Sequence, residues 1–321
     1  YVIKFLFLKN LLKLKKFFFI VSICVSFVCV DIIFQFIFKV DFFGYKPFQN
    51  LYHSGPFGPE LIAGGFIQKF FLFQLYFILY FFSDKKKYVY LIFLIPLFFL
   101  SIILSGNRTP LILFGLSFFL ILLFDKNNRK ILFYLIIINF LIFMSFKSIN
   151  KNFNNHINSF YLHSSNILKS IFIKDFNKKI NIPYFEVFSS FEDGWKENKY
   201  IGNGVRSYRV FCGNIKNKKY EKKILCSTHP HNYYLEILSE LGIIGLMYLI
   251  YIIFYLVKKS FLHILYNNKI SYTFFPFFLI FLVEIFPFKN TGSFFSTQVS
   301  TLFFITLAYL SNVVLRSNKN S

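Results

Sequence analysis

The stretch NYYLEILSELGIIGLMYLIYIIFYLVKK, residues 232–259, holds two helical patterns joined by glycine. Asn232 is a good N-cap, because its side-chain oxygen can accept the free amides of a first turn. Leu235, Leu238 and Leu241 then recur every three residues and make one apolar face, while Glu236 and Glu240 share another. This predicts a short amphipathic helix from about Tyr233, lying near a membrane interface. Gly242 and Gly245 allow a change of direction. Beyond them the chain is apolar to 257 and stops at Lys258 and Lys259. A run of about 16 residues approaches the length needed to cross a bilayer core, and reading it as a membrane span decides the fold.

The rest of the chain supports that reading. Of 321 residues, 56% are hydrophobic, with 52 Phe and 21 Tyr, and mean hydropathy is +0.55. A water-soluble globule could not hide this load. Eight spans are predicted, at about 17–38, 66–82, 88–104, 109–124, 131–146, 242–257, 271–288 and 298–315. The fold class is therefore all-α, a polytopic membrane helical bundle with one long extramembrane loop. The domain reading is 1–146 for the first five helices, 147–241 for the loop, and 242–321 for the last three. The net charge of +22 fits basic cytoplasmic loops better than nucleic-acid binding, for which no partner is expected. SDKKK (83–87), DKNNRK (125–130), KKSFLHILYNNK (258–269) and RSNKNS (316–321) are all basic and fall on one side. Both ends of the chain are then cytoplasmic and the long loop lies outside. No cleavable signal peptide is visible, and the start at Tyr1 rather than Met suggests that helices precede it.

Four cysteines are present. Cys24 and Cys29 lie inside the first span and read as small apolar residues. Cys212 and Cys226 lie in the outside loop, where an oxidising compartment favours pairing. A bridge would close a loop of about 15 residues and contribute roughly 3 kcal/mol. Two free thiols are the alternative. No zinc-module spacing is present, and no metal is expected.

The polar residues that could carry chemistry also fall outside. SGNRTP (105–110) makes a tight turn between two spans and puts Arg108 at the membrane surface, either as a functional group or as a snorkelling anchor. GNGVRSYRVFC (202–212) carries Arg206 and Arg209 after a Gly-Asn-Gly turn that could bring backbone amides to a ligand. It is no Walker or dinucleotide motif. His229 and His231 stand just before the helix that Asn232 caps, whose N-terminal end suits an anion; solvated loop histidines are the bland reading. Glu60, in a Gly- and Pro-rich outside loop, either contacts a hydroxyl-rich substrate or merely marks a helix start. Asp31, Gln35 and Glu284 are polar groups in or near spans, structural or lining a path.

These stretches resemble a family. THPHNYYLEILSELGIIG (228–245), SGNRTPLILF (105–114) and IGNGVRSYRVFC (201–212) are similar, in order and in sidedness, to the motifs of the O-antigen ligase and polymerase family of membrane glycosyltransferases. The resemblance covers about 50–315. It implies a bacterial inner-membrane enzyme with a periplasmic active face. Such an enzyme moves a glycan from a polyprenyl-diphosphate lipid to an acceptor hydroxyl, on a lipid A core or on another lipid-linked repeat, with no metal or other cofactor. Carried over by position, Arg108 and Arg209 correspond to two essential arginines, with Arg206 as the alternative to the second. His231 corresponds to the catalytic histidine, with His229 as its alternative. Asn232 and Glu60 join the substrate-binding candidates. A transporter or flippase of lipid-linked sugars is the rival class, but it would favour ionisable residues along a midplane path.

Overall fold

The computed structural model describes residues 13–49, 52–149, 194–211, 228–266, 273–287 and 292–317, with isolated positions 5, 6, 9, 154, 155, 157, 158, 161, 162, 165, 191 and 289. Cys212 and Cys226, the expected disulfide, lie outside these residues. No strand occurs among the described residues beyond one isolated bridge, Phe48 to Tyr52.

The principal α-helices are α1 Leu14–Phe38, α2 Ala63–Phe81, α3 Asp84–Leu104, α4 Arg108–Phe124, α5 Arg129–Ile149, α6 Tyr233–Tyr266, α7 Phe274–Glu284 and α8 Thr297–Ser317. Each predicted span coincides with one of them. α1, α2, α3 and α6 are long and apolar enough to cross a membrane, while α4, α7 and Val299–Val314 are shorter apolar helices. Two boundaries differ from expectation. The sixth span does not stop at the paired lysines; α6 continues through Lys258 and Lys259 to Tyr266. Lysine is a good helix former, and its long stem can lie along apolar surface while the ammonium reaches water. The seventh helix has 11 residues, roughly 16 Å of rise, well short of a bilayer core. It stops at Glu284, three residues before Pro287, where a helix is readily ended.

The chain divides into two compact units. One comprises residues 6–168 and 269–283, and so contains α1 to α5 and most of α7. Its core is aromatic. Phe71 of α2 meets Phe98, Phe114 and Phe118 at centroid distances of 5.8, 4.6 and 5.8 Å. Phe18, Phe73 and Phe277 pack together on the other side of α2. Cys29 is buried in α1 and Cys24 is exposed on it. The loop after α1 is tied to that helix by polar side chains from within the span. Asp31 accepts the Phe42 amide at 2.8 Å, and Gln35 donates to the Tyr45 carbonyl and accepts from the Gly55 amide, both at 3.1 Å. Asp31, Gln35 and Asp41 are all buried, and Asp41 folds the loop on itself by accepting the Phe43 and Tyr45 amides. Asp31 and Gln35 thus serve as structural hydrogen-bonding groups.

The second unit comprises residues 1–5, 169–268 and 284–321. Here α6 is broken at Gly242, whose φ is 67° and ψ −171°. A break exposes carbonyls before it and amides after it, and buried backbone groups must find partners. They find them in residues 199–204. The Asn203 amide donates to the Ser239 carbonyl at 3.1 Å and the Gly204 amide to the Glu240 carbonyl at 2.9 Å. Beyond the break, the Ile243 and Ile244 amides donate to the carbonyls of Lys199 and Tyr200 at 3.0 and 3.2 Å. The two backbones touch at glycines. A Cβ on Gly242 would fall 2.1 Å from the Tyr200 oxygen, and one on Gly202 would fall 2.4 Å from the Glu240 carbonyl.

Candidate active site

The helical segment 233–241, ahead of the break, begins where the sequence places it. Asn232 caps it, its side-chain oxygen accepting the Tyr234 and Leu235 amides at 3.0 and 3.2 Å. Leu235 and Leu238 pack on a small core of Phe191 and Tyr208, joined by Trp195. The amphipathic reading fails on the opposite face. Glu236 and Glu240 are 1% and 2% exposed, because loops from both directions of the chain close over them.

Glu236 is held by the loop that follows α7. Ser293 donates its hydroxyl to one carboxylate oxygen at 2.5 Å, and the Phe294 amide donates to the other at 2.6 Å. Burial raises the Glu236 pKa, while these two donors and the charge of His231 oppose the rise. More contacts fasten the same loop to the helix start. Asn232 donates to the Pro287 carbonyl at 2.7 Å. The Tyr234 hydroxyl donates to the Ile285 carbonyl, and the Tyr233 hydroxyl to Glu284 at 3.3 Å. Glu284 is also paired at 2.5 Å with Lys289, and both are buried. Burial, first, and the Glu284 charge, second, push the Tyr233 phenol far above its ordinary value. It therefore stays neutral and able to donate.

Glu240 is held from the other direction. It accepts the Arg206 amide at 2.6 Å. Burial raises its carboxyl to about 7, against the lowering effect of that hydrogen bond. Arg206 has φ 64° and heads a short helical turn at 207–211; its side chain and that of Arg209 are exposed. Glu240 thus anchors the segment that carries both arginines to the helix that His231 precedes. Along that helix, positions 233 and 240 are separated by about 10 Å.

His231 is half-buried and has φ 55°. Left-handed backbone at a non-glycine residue costs about 1–3 kcal/mol and persists where surrounding structure enforces it, often at functional sites. Here the enforcement comes from Asn232, tied to Pro287 and to the first turn. The rings of His229 and His231 lie 4.2 Å apart, edge to face, and the Thr228 hydroxyl is 3.0 Å from His229 Nδ1.

Two expectations about anion-binding amides need correction. The Asn203 and Gly204 amides are spent on the carbonyls of Ser239 and Glu240, so the Gly-Asn-Gly turn clasps a helix rather than offering a nest. The first-turn amides of Tyr234 and Leu235 are spent on Asn232, and that of Glu236 on the Asn232 carbonyl. Among the described residues, no three His, Cys, Asp or Glu side chains are grouped to hold a metal ion.

Two remaining candidates lie in the other unit. Arg108 is the first residue of α4, half-buried, after the turn 105–107. Gly106 in that turn has φ 73°, and a Cβ there would meet the Tyr52 ring. Glu60 is exposed just before α2. The structure adds Glu236, Glu240, Glu284, Lys289, Ser293 and Tyr233. Of these, the sequence offered the i, i+4 glutamates behind a histidine and, as a polar group near a span, Glu284.

The family model described as O-antigen ligase matches residues 91–250. The match runs from α3 into α6 and includes Arg108, Arg206, Arg209, His229, His231, Asn232 and both helix glutamates. No curated protein and no solved structure matches the chain.

Proposed function

Because the chain belongs, through residues 91–250, to the O-antigen ligase family, we propose that it transfers a glycan from a polyprenyl-diphosphate lipid to an acceptor hydroxyl. At the coarser level it is a membrane glycosyltransferase of the O-antigen ligase or polymerase type. The acceptor in this reading is a lipid A core or another lipid-linked repeat, and the site opens on the periplasmic face of the bacterial inner membrane. The observation that carries the reading is the clasp between 199–206 and α6, which fastens an arginine-bearing segment to the helix His231 precedes.

The chemistry asks for two things. The diphosphate leaving group must keep its charge balanced as the sugar C1–O bond breaks, and guanidinium groups suit this because they bind phosphate oxygens in pairs and stay protonated. In a water-poor site such stabilisation is worth about 3–4 kcal/mol per group. Arg108 and Arg209 are assigned this role, with Arg206 as the alternative to Arg209. The acceptor hydroxyl must also lose its proton as its oxygen bonds to C1. His231 takes that proton, a role that an imidazole suits, and Glu236 stabilises the resulting imidazolium. Asn232 and the Tyr233–Glu284–Lys289 group hold the histidine's backbone. His229 and Glu60 are assigned to acceptor binding, and the apolar spans to the polyprenyl tail.

The test is transfer by purified protein in lipid, using a polyprenyl-diphosphate donor and each acceptor in turn. His231→Ala is expected to reduce transfer by about 10²–10⁴-fold, the usual contribution of acid–base catalysis, while the donor still binds. Normal transfer by that variant overturns the assignment.

A further inference from the structure

We infer that residues 199–211, within a loop whose length alone suggests a soluble subdomain, lie in the membrane interface itself and are bound by lipid. The amides of Ile243 and Ile244 donate to the carbonyls of Lys199 and Tyr200 at 3.0 and 3.2 Å. Those isoleucines are the first residues after the break in α6, at the start of its long apolar run. Hydrogen bonds of that length fix 199–201 at the depth where the span begins.

The side chains at that depth are the wrong ones for water. Tyr200 is 72% exposed, Ile201 66%, Val205 56% and Val210 64%. Ile244, whose amide is bonded to the Tyr200 carbonyl, and Met247 and Tyr248 are also exposed on the first turns of the span. Among the described residues none covers these apolar groups, and they stand beside the exposed apolar side chains at the start of the span. Between them stand exposed Lys199, Arg206 and Arg209. Apolar and aromatic residues interleaved with cations, at the level where a helix enters a bilayer, match the boundary between acyl chains and anionic phosphates. The occupant is therefore the headgroup layer of the leaflet at which α6 begins, and a second copy of this chain is the competing occupant. The inference stands on the membrane fold and needs no catalytic activity.

Depth-dependent quenching tests it. Tyr200→Trp and Ile201→Trp are made separately in a Trp195→Phe background and placed in lipid nanodiscs, one copy per disc. Met247→Trp, on the span, supplies the lipid-exposed reference. The expected result is quenching by phosphatidylcholine brominated high on its acyl chains about threefold stronger than quenching by aqueous iodide, as for interfacial side chains. Iodide-dominated quenching, or protection from both quenchers with cross-linking between copies in detergent, overturns the inference. A nitroxide on Val205→Cys, in a chain that keeps Trp195 and has its native cysteines replaced by serine, gives an independent reading. Greater access to oxygen than to a water-soluble nickel chelate supports lipid contact, and the reverse overturns it.

Discussion

Two connections in this protein are bound to helices by opposite means. Residues 199–204 are held by backbone, with Asn203, Gly204, Lys199 and Tyr200 exchanging hydrogen bonds with the broken turn of α6. Residues 39–49 and 52–55 are tied to α1 by side chains, with Asp31 and Gln35 reaching out of that helix to the amides of Phe42 and Gly55 and the carbonyl of Tyr45. The first device depends on the absence of side chains at 202 and 242. The second depends on the identity of two side chains inside a span, where a buried polar group without a partner is costly. A backbone clasp leaves the neighbouring residues free to carry function, and Arg206 and Arg209 follow it directly. A side-chain clasp commits the polar groups it uses.

The largest effect should come from the backbone device. Gly242→Ala places a Cβ 2.1 Å from the Tyr200 oxygen at φ 67° and is expected to cost about 3 kcal/mol or more. Limited proteolysis should then cut 199–211 readily while the unit containing α1 to α5 keeps its thermal transition. Unchanged protection at 199–211 would mean that the clasp does not organise this region. Asp31→Ala should act on the other unit alone, by about 1–3 kcal/mol, because the Phe42 amide loses its acceptor. A drop in detergent thermostability with normal protection at 199–211 would sharpen the contrast. Asn232→Ala removes a helix cap and the bond to Pro287, at a cost of about 1 kcal/mol. Transfer should suffer more than stability, since His231 loses its backbone support.

The smallest effect is a pH dependence. The Glu240 carboxyl is raised from 4.5 to about 7. The folded protein therefore keeps a proton that the unfolded chain releases. Stability from this group is full below 4.5 and is lost as pH rises to about 7. Hydrogen exchange of the 199–206 amides should accelerate beyond its intrinsic pH trend across that window. Glu240→Gln keeps an acceptor for the Arg206 amide and should remove the excess. A persistent excess in the variant would assign the titration elsewhere.

Much of this was readable because it is local. The cap at Asn232, the helix start at Tyr233 and the turn at Gly242 follow from residue types within a few positions of one another. The amphipathic pattern misled because period shows which residues share a face and not what covers it. Glu236 looked solvated and is instead the acceptor of Ser293 and Phe294. Those partners stand more than fifty positions away, and no local rule connects them. The Gly-Asn-Gly turn misled similarly: glycine signals close approach of backbone, but the partner proved to be another stretch of the same chain.

By itself the sequence determined the helices, since apolar length and period are properties of short windows, and it set the order of the arginine and histidine motifs. The tertiary structure alone decided which polar groups are buried together: Glu236 with the loop after α7, Glu284 with Lys289, and Glu240 with the Arg206 amide. The physical reason is that a buried carboxylate is tolerable only when donors converge on it from distant parts of the chain, and that convergence exists only once the chain has folded.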